Sequence, residues 1–267
     1  MHRILTAVFM CACFAGITAE ADAQERILLR LDATIGRISK YRTQTQSWLP
    51  GSSTDPTKPT VIKTDITTES ITAIEGNVRT MVAVIDADEL EMNDPPRRLT
   101  NMLRGQKTVQ RIDGRGRTLT SDVLREAELM RGQGPAPSHA GGAFTLPEGP
   151  VRIGDTWVAA ERMSMGPGTR GLQGEAQVTY RLNRIDRAGG ARVGVISMNG
   201  AIVNWLEPDG HKGELKASPN TAATMSSVSG ELRFDLDARR MLGLTVNIEN
   251  RWGTPQGSRT HMTKIAQ

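Results

Sequence analysis

The sequence predicts a mainly β protein: one antiparallel, strongly curved sheet, a half-barrel or open barrel, with one or two short helices. Three observations lead there. Apolar and polar residues alternate over long stretches, which marks strands buried on one face. Short glycine- or aspartate-containing turns join consecutive stretches into hairpins. In places the apolar phase slips by one residue, the mark of β-bulges, which bend a sheet.

Taken in order, the first residues carry Arg3, then fourteen uncharged residues from Ile4 to Ile17, and then the small-residue sites Ala19-Glu20-Ala21 and Ala21-Asp22-Ala23. This is the layout of a secretory signal peptide with cleavage after Ala23, so the expected domains are a leader over 1–23 and a single antiparallel β domain over 24–267. Lipidation at Cys13 is disfavoured by the poor fit of Met10-Cys11-Ala12 to a lipoprotein signal. No later stretch approaches the roughly 20 apolar residues of a spanning helix, so no transmembrane segment is expected after processing, and the destination is the periplasm or the exterior.

Both cysteines, Cys11 and Cys13, fall in the leader, which leaves the processed chain without disulfides, thiolate catalysts or cysteine-bound zinc. Removing residues 1–23 takes away Arg3, Glu20 and Asp22, so 33 basic and 29 acidic residues become 32 and 27. That mild excess attracts anionic surfaces only weakly. The remaining aromatics are Trp48, Trp157, Trp205, Trp252, Tyr41, Tyr180, Phe144 and Phe234. Such scarcity argues against sugar platforms and nucleic-acid sites, which stack ligands on aromatic clusters, and against the aromatic girdles of an outer-membrane barrel.

Arg37 to Trp48, rich in Thr and Gln, reads as an exposed or edge strand. Val61 to Ile74 and Val78 to Ile85 read as strands. Asp86, Asp88, Glu89, Glu91 and Asp94 then form an acidic cluster lacking the loop glycine and distal glutamate of a calcium loop, which reads as a solvated loop. Asp94 with Pro95 predicts a helix carrying Leu99, Met102 and Leu103 and stopped by Gly105. Val109 to Ile112 and Arg117 to Thr120 form a hairpin across Asp113-Gly114-Arg115-Gly116. A second helix is expected from Asp122 to Arg131, followed by a mobile loop from Gly132 to Gly142.

Val178, Tyr180 and Leu182 lead into a hairpin at Ala188-Gly189-Gly190, and Val193 and Val195 lead out. The phase slips to Ile185 on one arm and to Ile196 and Met198 on the other. Leu232, Phe234 and Leu236 precede a turn near Ala238-Arg239-Arg240, after which Leu242, Leu244, Val246, Ile248 and Trp252 continue the alternation. Eleven residues at about 3.4 Å each give a strand of roughly 37 Å, long enough to require a twisted or curled sheet. Ser258 to Ile265 closes the set.

The most individual stretch is Leu146-Pro147-Glu148-Gly149-Pro150-Val151-Arg152-Ile153-Gly154-Asp155-Thr156-Trp157. Its prolines hold an extended approach, Gly154-Asp155 turns, and Trp157 anchors a strand in the core. This Leu-Pro, Val, Gly-Asp-Thr-Trp string resembles one in a family of uncharacterised exported bacterial β proteins, over about Gly105 to Ile265. That family is similar in general plan to the curved half-barrels of periplasmic lipoprotein and lipid carriers, whose concave face holds acyl chains. The resemblance implies a fold and a ligand class and brings no catalytic residues.

Candidate sites follow. Val178, Tyr180, Leu182, Leu242, Leu244, Val246 and Ile248 are the candidates for a face on which an amphiphile would lie, though the usual burial of such residues favours plain core for each. Arg97, Arg98, Arg104, Lys107, Arg111, Arg115 and Arg117, against the single acid Asp113, form a patch for anionic headgroups or simply a solvated face. His139, His211 and His261 form no close zinc-binding pair, and no Gly-x-Ser-x-Gly elbow occurs. The expectation is a non-enzymatic periplasmic protein, without cofactor or metal, that binds a lipid or other amphiphile. The alternatives are a structural or interaction module with an envelope protein as partner, and a hydrolase assembled by folding. Sequencing the exported form from its N-terminus is expected to begin at Gln24; a start at Met1 or a blocked Cys13 would overturn the leader assignment.

Overall fold

The computed structural model describes residues 25–32, 34–48, 57–93, 95–125, 144–164, 173–208, 215–217, 226–250 and 258–267. The leader with Cys11 and Cys13, the loop from Gly132 to Gly142 with His139, and His211 and Trp252 lie outside the described residues. Among the described residues there are thirteen strands and no helix. They are β1 Ile38–Trp48, β2 Val61–Glu75, β3 Val78–Asn93, β4 Pro96–Thr100, β5 Lys107–Asp113, β6 Thr118–Arg125, β7 Thr156–Ser164, β8 Gln173–Ala188, β9 Ala191–Pro208, β10 Leu215–Ala217, β11 Ser226–Asp235, β12 Arg240–Asn250 and β13 Ser258–Ala266.

All pair antiparallel in one sheet of order β6-β5-β3-β2-β1-β13-β12-β11-β9-β8-β7, with β4 on β3 and β10 on β9. No strand pairing joins β6 to β7, so the sheet is not closed. Nearly every neighbour is also the next strand in the chain, as short turns dictate. The pairs β3–β5 and β9–β11 each skip one short strand, and the long-range exception is the seam where β1 meets β13, with Tyr41 opposite Ala266 and Trp48 opposite Arg259.

The turns carry the chemistry their sequences announce. At Gly189 and Gly190, φ values of 58° and 87° make a tight two-residue connection. In the β5–β6 turn the Asp113 carboxylate accepts the N–H groups of Arg115 (2.9 Å) and Arg117 (3.0 Å), while Gly116 takes φ 90° against Phe144. Asp235 does the same at β11–β12, accepting from Asp237 and Ala238. The slip on β8 is a bulge: Leu182 pairs with Ile196 and Arg184 with Val195, leaving Asn183 unmatched.

Three expectations are corrected. The helix predicted after Asp94 is instead β4 and an irregular turn. Pro96 disfavours helical backbone at Pro95, and the buried Asp88 carboxylate accepts the N–H groups of Met102 (3.1 Å) and Leu103 (2.8 Å), satisfying them without a helix. Of the second helix, residues 122–125 belong to β6 and the rest lies outside the described residues. The stretch from Arg37 to Trp48 is no edge strand: β1 lies mid-sheet, because a sheet with one face toward water needs apolar residues on only one side.

The core lies on one face of the C-terminal strands. Val178, Tyr180, Leu182, Ile196, Met198, Leu232, Phe234, Leu244, Val246 and Ile248 cluster there. No helix among the described residues covers them. Two irregular segments do so, Ile27 to Leu31 and Phe144 to Val151, joined by an antiparallel bridge between Ile27 and Val151. Met241 enters this face and Leu242 is displaced from it, because a register shift between Arg233 and Phe234 sets Phe234 opposite Met241.

Gly200 and Gly230 mark where strands press closest. A Cβ at Gly230 would meet the Thr245 carbonyl oxygen and Met198, and one at Gly200 the carbonyl of Gln177. Overpacking costs about 1–3 kcal/mol. Gly230→Ala is therefore expected to lower the urea midpoint by that amount of stability with an unchanged slope. Gly149→Ala, where a Cβ meets nothing within 4 Å, is expected to leave the midpoint close to wild type.

Candidate functional site

Two polar assemblies sit against the apolar face. The first is built by the Gly-Asp-Thr-Trp segment. Gly154, at φ 95°, sends its N–H to the Leu182 carbonyl, and the Asp155 carbonyl receives the Leu182 N–H. This docks the start of β7 onto β8, stacking Trp157 on Tyr180 with centroids 5.5 Å apart and planes at 11°. Trp157 Nε1 donates to the Thr145 carbonyl (2.7 Å), and the Tyr180 hydroxyl donates to Glu161 Oε1 (2.7 Å). Burial pushes the Glu161 carboxyl above the usual carboxylate range, outweighing the Tyr180 hydrogen bond that favours its charged form. Burial and the neighbouring carboxylate push the Tyr180 phenol up as well.

The second assembly surrounds a cavity of about 100 Å³. Consecutive sheet positions supply its floor: Gln110 and Ile112 from β5, Arg79 and Met81 from β3, Glu69 and Ile71 from β2, Ser39 and Tyr41 from β1, Lys264 from β13 and Met241 from β12. Period-two spacing within each strand puts both members of a pair on one face. Leu31, Asp32 and Arg37 from the segment before β1, with Gly116, Phe144, Arg239 and Arg240, complete it.

Two cation–carboxylate pairs lie in this cavity. Lys264 Nζ lies 2.7 Å from Glu69 Oε1 and 4.4 Å from the centre of the Tyr41 ring. Desolvation pulls the ammonium down, but the Glu69 carboxylate and Tyr41 outweigh it and hold Lys264 above its ordinary value. Burial, reinforced by Glu69, raises Tyr41. Arg37 Nη1 pairs with Asp32 (2.5 Å) and donates to the Ala238 carbonyl. Arg79, 5% exposed, is held differently: its guanidinium donates to the carbonyls of Leu31 (2.5 Å) and Asp113 (3.0 Å). Its Nε has no hydrogen-bond partner.

The residues singled out from sequence fall elsewhere. Val178, Tyr180 and Leu182 are fully buried, Leu244, Val246 and Ile248 nearly so, and Leu242 is half-buried. None of the seven lines the cavity. The basic run is divided among different surroundings. Arg98 pairs with Glu89 and Glu91, Arg111 with Glu75, Arg115 with Glu148, and Arg117 with Asp113; Arg97, Arg104 and Lys107 are exposed. Of the acidic cluster, Asp86, Asp88, Glu89 and Glu91 lie within β3 instead of the expected loop, where Asp86 accepts from Thr68 and Asp88 caps the turn after β4, and Asp94 lies outside the described residues. His261 contacts Asn247 and Thr263, and no group of metal-ligating residues occurs among the described residues.

Reading the sequence for ligands passed over Arg79 and Lys264. The available signal was phase: Arg79 alternates with Met81, and Lys264 with Met262 and Ala266, so each is a cation on an apolar face. No protein-family model, curated protein or solved structure matches the chain. No described helix is long and apolar enough to cross a membrane.

Because the folded-state Glu161 value lies above the unfolded one of about 4.3, its stabilisation is complete below that pH and lost as pH rises through the folded value. Glu161→Gln keeps an acceptor for Tyr180 and removes the titration. The melting temperature of E161Q relative to wild type is expected to climb between pH 4 and pH 8, by about 2–4 °C per kcal/mol. A pH-independent difference would show that Glu161 is already ionised in the fold.

Proposed function

We propose that the chain is an exported, non-enzymatic envelope protein that holds a hydrophobic or amphiphilic ligand in the hollow of a curled β sheet. The observation that carries this reading is the cavity, where Ile71, Met81, Ile112, Phe144 and Met241 share one lining with Arg79, Lys264 and Glu69. An amphiphile is the ligand class that satisfies both kinds of surface. The segment motif from Leu146 to Trp157 supports the same reading, through its resemblance to exported β proteins of carrier-like plan.

Curling of the sheet is supported by chain length. Ile27 bridges to Val151, just before β7, and Leu31 donates to Gly114 beside β6. Four residues span at most about 14 Å, so the two ends of the strand order come close at this rim. Leu146 N–H also donates to the Arg115 carbonyl (2.7 Å), a second tie across the same ends. At about 100 Å³ the cavity falls well below the roughly 300–1,000 Å³ that encloses a drug-sized ligand. It suits a headgroup with its first carbons, the remainder of a longer chain leaving through the opening.

A second reading, an interaction module for an envelope protein, is favoured by the outer strands. Val158 on β7 is 59% exposed and Leu124 on β6 is 61% exposed, and added strands commonly bind such edges. Native mass spectrometry of protein purified from its own envelope separates the two. A reproducible small-molecule adduct, lost on filling the cavity by Met81→Trp, is the expected result. A clean apo mass with a co-purifying protein would replace the carrier reading with the module.

A further inference from the structure

We infer that the cavity is an oxyanion-headgroup site, in which the carboxylate or phosphate of a short or partly enclosed amphiphile bonds to Arg79. This rests on the amphiphile-binding reading above and specifies its head. Three observations carry it. Arg79 is 5% exposed, and both of its guanidinium contacts are to the backbone carbonyls of Leu31 and Asp113; the carboxylates of Asp32 and Asp113 act on its charge only from beyond ion-pair distance. A buried charge is normally paired. Its Nε–H, a donor in the planar fork that matches an oxyanion, is buried without any acceptor. Such a donor costs free energy until an acceptor arrives.

The second observation is the balance of charge around it. Five cations, Arg37, Arg79, Arg239, Arg240 and Lys264, line the cavity against two carboxylates, Asp32 and Glu69. Each carboxylate is already held, Asp32 by Arg37 and Glu69 by Lys264. An incoming cation would meet no uncommitted carboxylate in this lining, whereas an anion would find Arg79. The third is the apolar wall. Ile112 stands opposite Arg79 in register and Met81 opposite Ile71, so the anion and the first carbons of its tail have adjacent places.

The test is calorimetric titration of the exported full-length chain at neutral pH with four probes: hexanoate, acetate, hexan-1-ol and hexylammonium. Hexanoate is expected to bind about tenfold or more tightly than hexan-1-ol and hexylammonium, the gain of one charge-assisted hydrogen bond. Acetate, lacking the tail, is expected to bind more weakly than hexanoate. Met81→Trp, which fills the cavity and leaves Arg79 in place, is expected to abolish the heat of hexanoate binding. In ¹⁵N-edited spectra the Arg79 Nε–H signal, assigned by its loss in Arg79→Lys, is expected to move downfield as hexanoate is added and to stay fixed with hexan-1-ol.

Equal affinity for hexan-1-ol, or tighter binding of hexylammonium, would overturn the oxyanion assignment and leave amphiphile binding standing. Equal affinity for acetate would instead overturn the amphiphile reading and leave a site for small free anions. Absence of binding by all four probes would overturn both.

Discussion

Irregular backbone laid over an apolar surface brings carbonyl and N–H groups that must be bonded, and this protein covers its core with such backbone. Buried main-chain groups without partners are costly, and the segments Ile27 to Leu31 and Phe144 to Val151 have little secondary structure of their own. Arginine supplies the missing donors. Arg30 reaches the carbonyls of Leu29, Pro147 and Glu148, Arg115 that of Leu146, and Arg79 that of Leu31. The guanidinium is suited to this, since its several fixed donors can serve carbonyls on two segments at once. Removing these side chains would unseat the cover, and with it the roof of the cavity.

The same requirement explains why aspartates stand at the turns. Asp113 and Asp235 are nearly buried acceptors that collect N–H groups where the strands reverse. Each also lies near an arginine of its own turn, Arg117 and Arg240. The basic run between Arg97 and Arg117 is thus partly internal scaffolding: Arg115 faces inward to Leu146 and Glu148, while Arg98 and Arg111 complete cross-strand pairs on the surface. A patch read from linear charge density dissolves when the strands carry its members to different places.

Strands were legible where burial alternates and where turns are glycine- or aspartate-built, as in β8–β9 and β11–β12. Legibility failed where the deciding partner was distant in sequence. The turn after β4 looks like a helix until Asp88, fourteen and fifteen residues earlier, takes its N–H groups. Leu242 looks like core until a bulge opposite Arg233 and Phe234 exchanges it for Met241. The cavity was the least visible feature, because its lining comes from strands as far apart as β1, β5 and β13, and only the out-of-phase cations Arg79 and Lys264 gave any local sign. The apolar residues first assigned to a ligand were easy to find for a plain reason: they are the most continuous alternation in the chain, and such continuity serves the interior.

The seam between β1 and β13 sets a schedule for assembly. Every other neighbouring pair in the sheet joins strands that are consecutive in the chain or one short strand apart, but Tyr41 must wait for Ala266, more than two hundred positions later. Until that late strand docks, the early meander β1 to β6 and the later one β7 to β12 are two separate ribbons, each with a bare flank. Pairings of such long sequence separation form slowly and leave edges open meanwhile. Without its final strand the chain would add two open edges, those of β1 and β12, to the two that the complete sheet already has at β6 and β7.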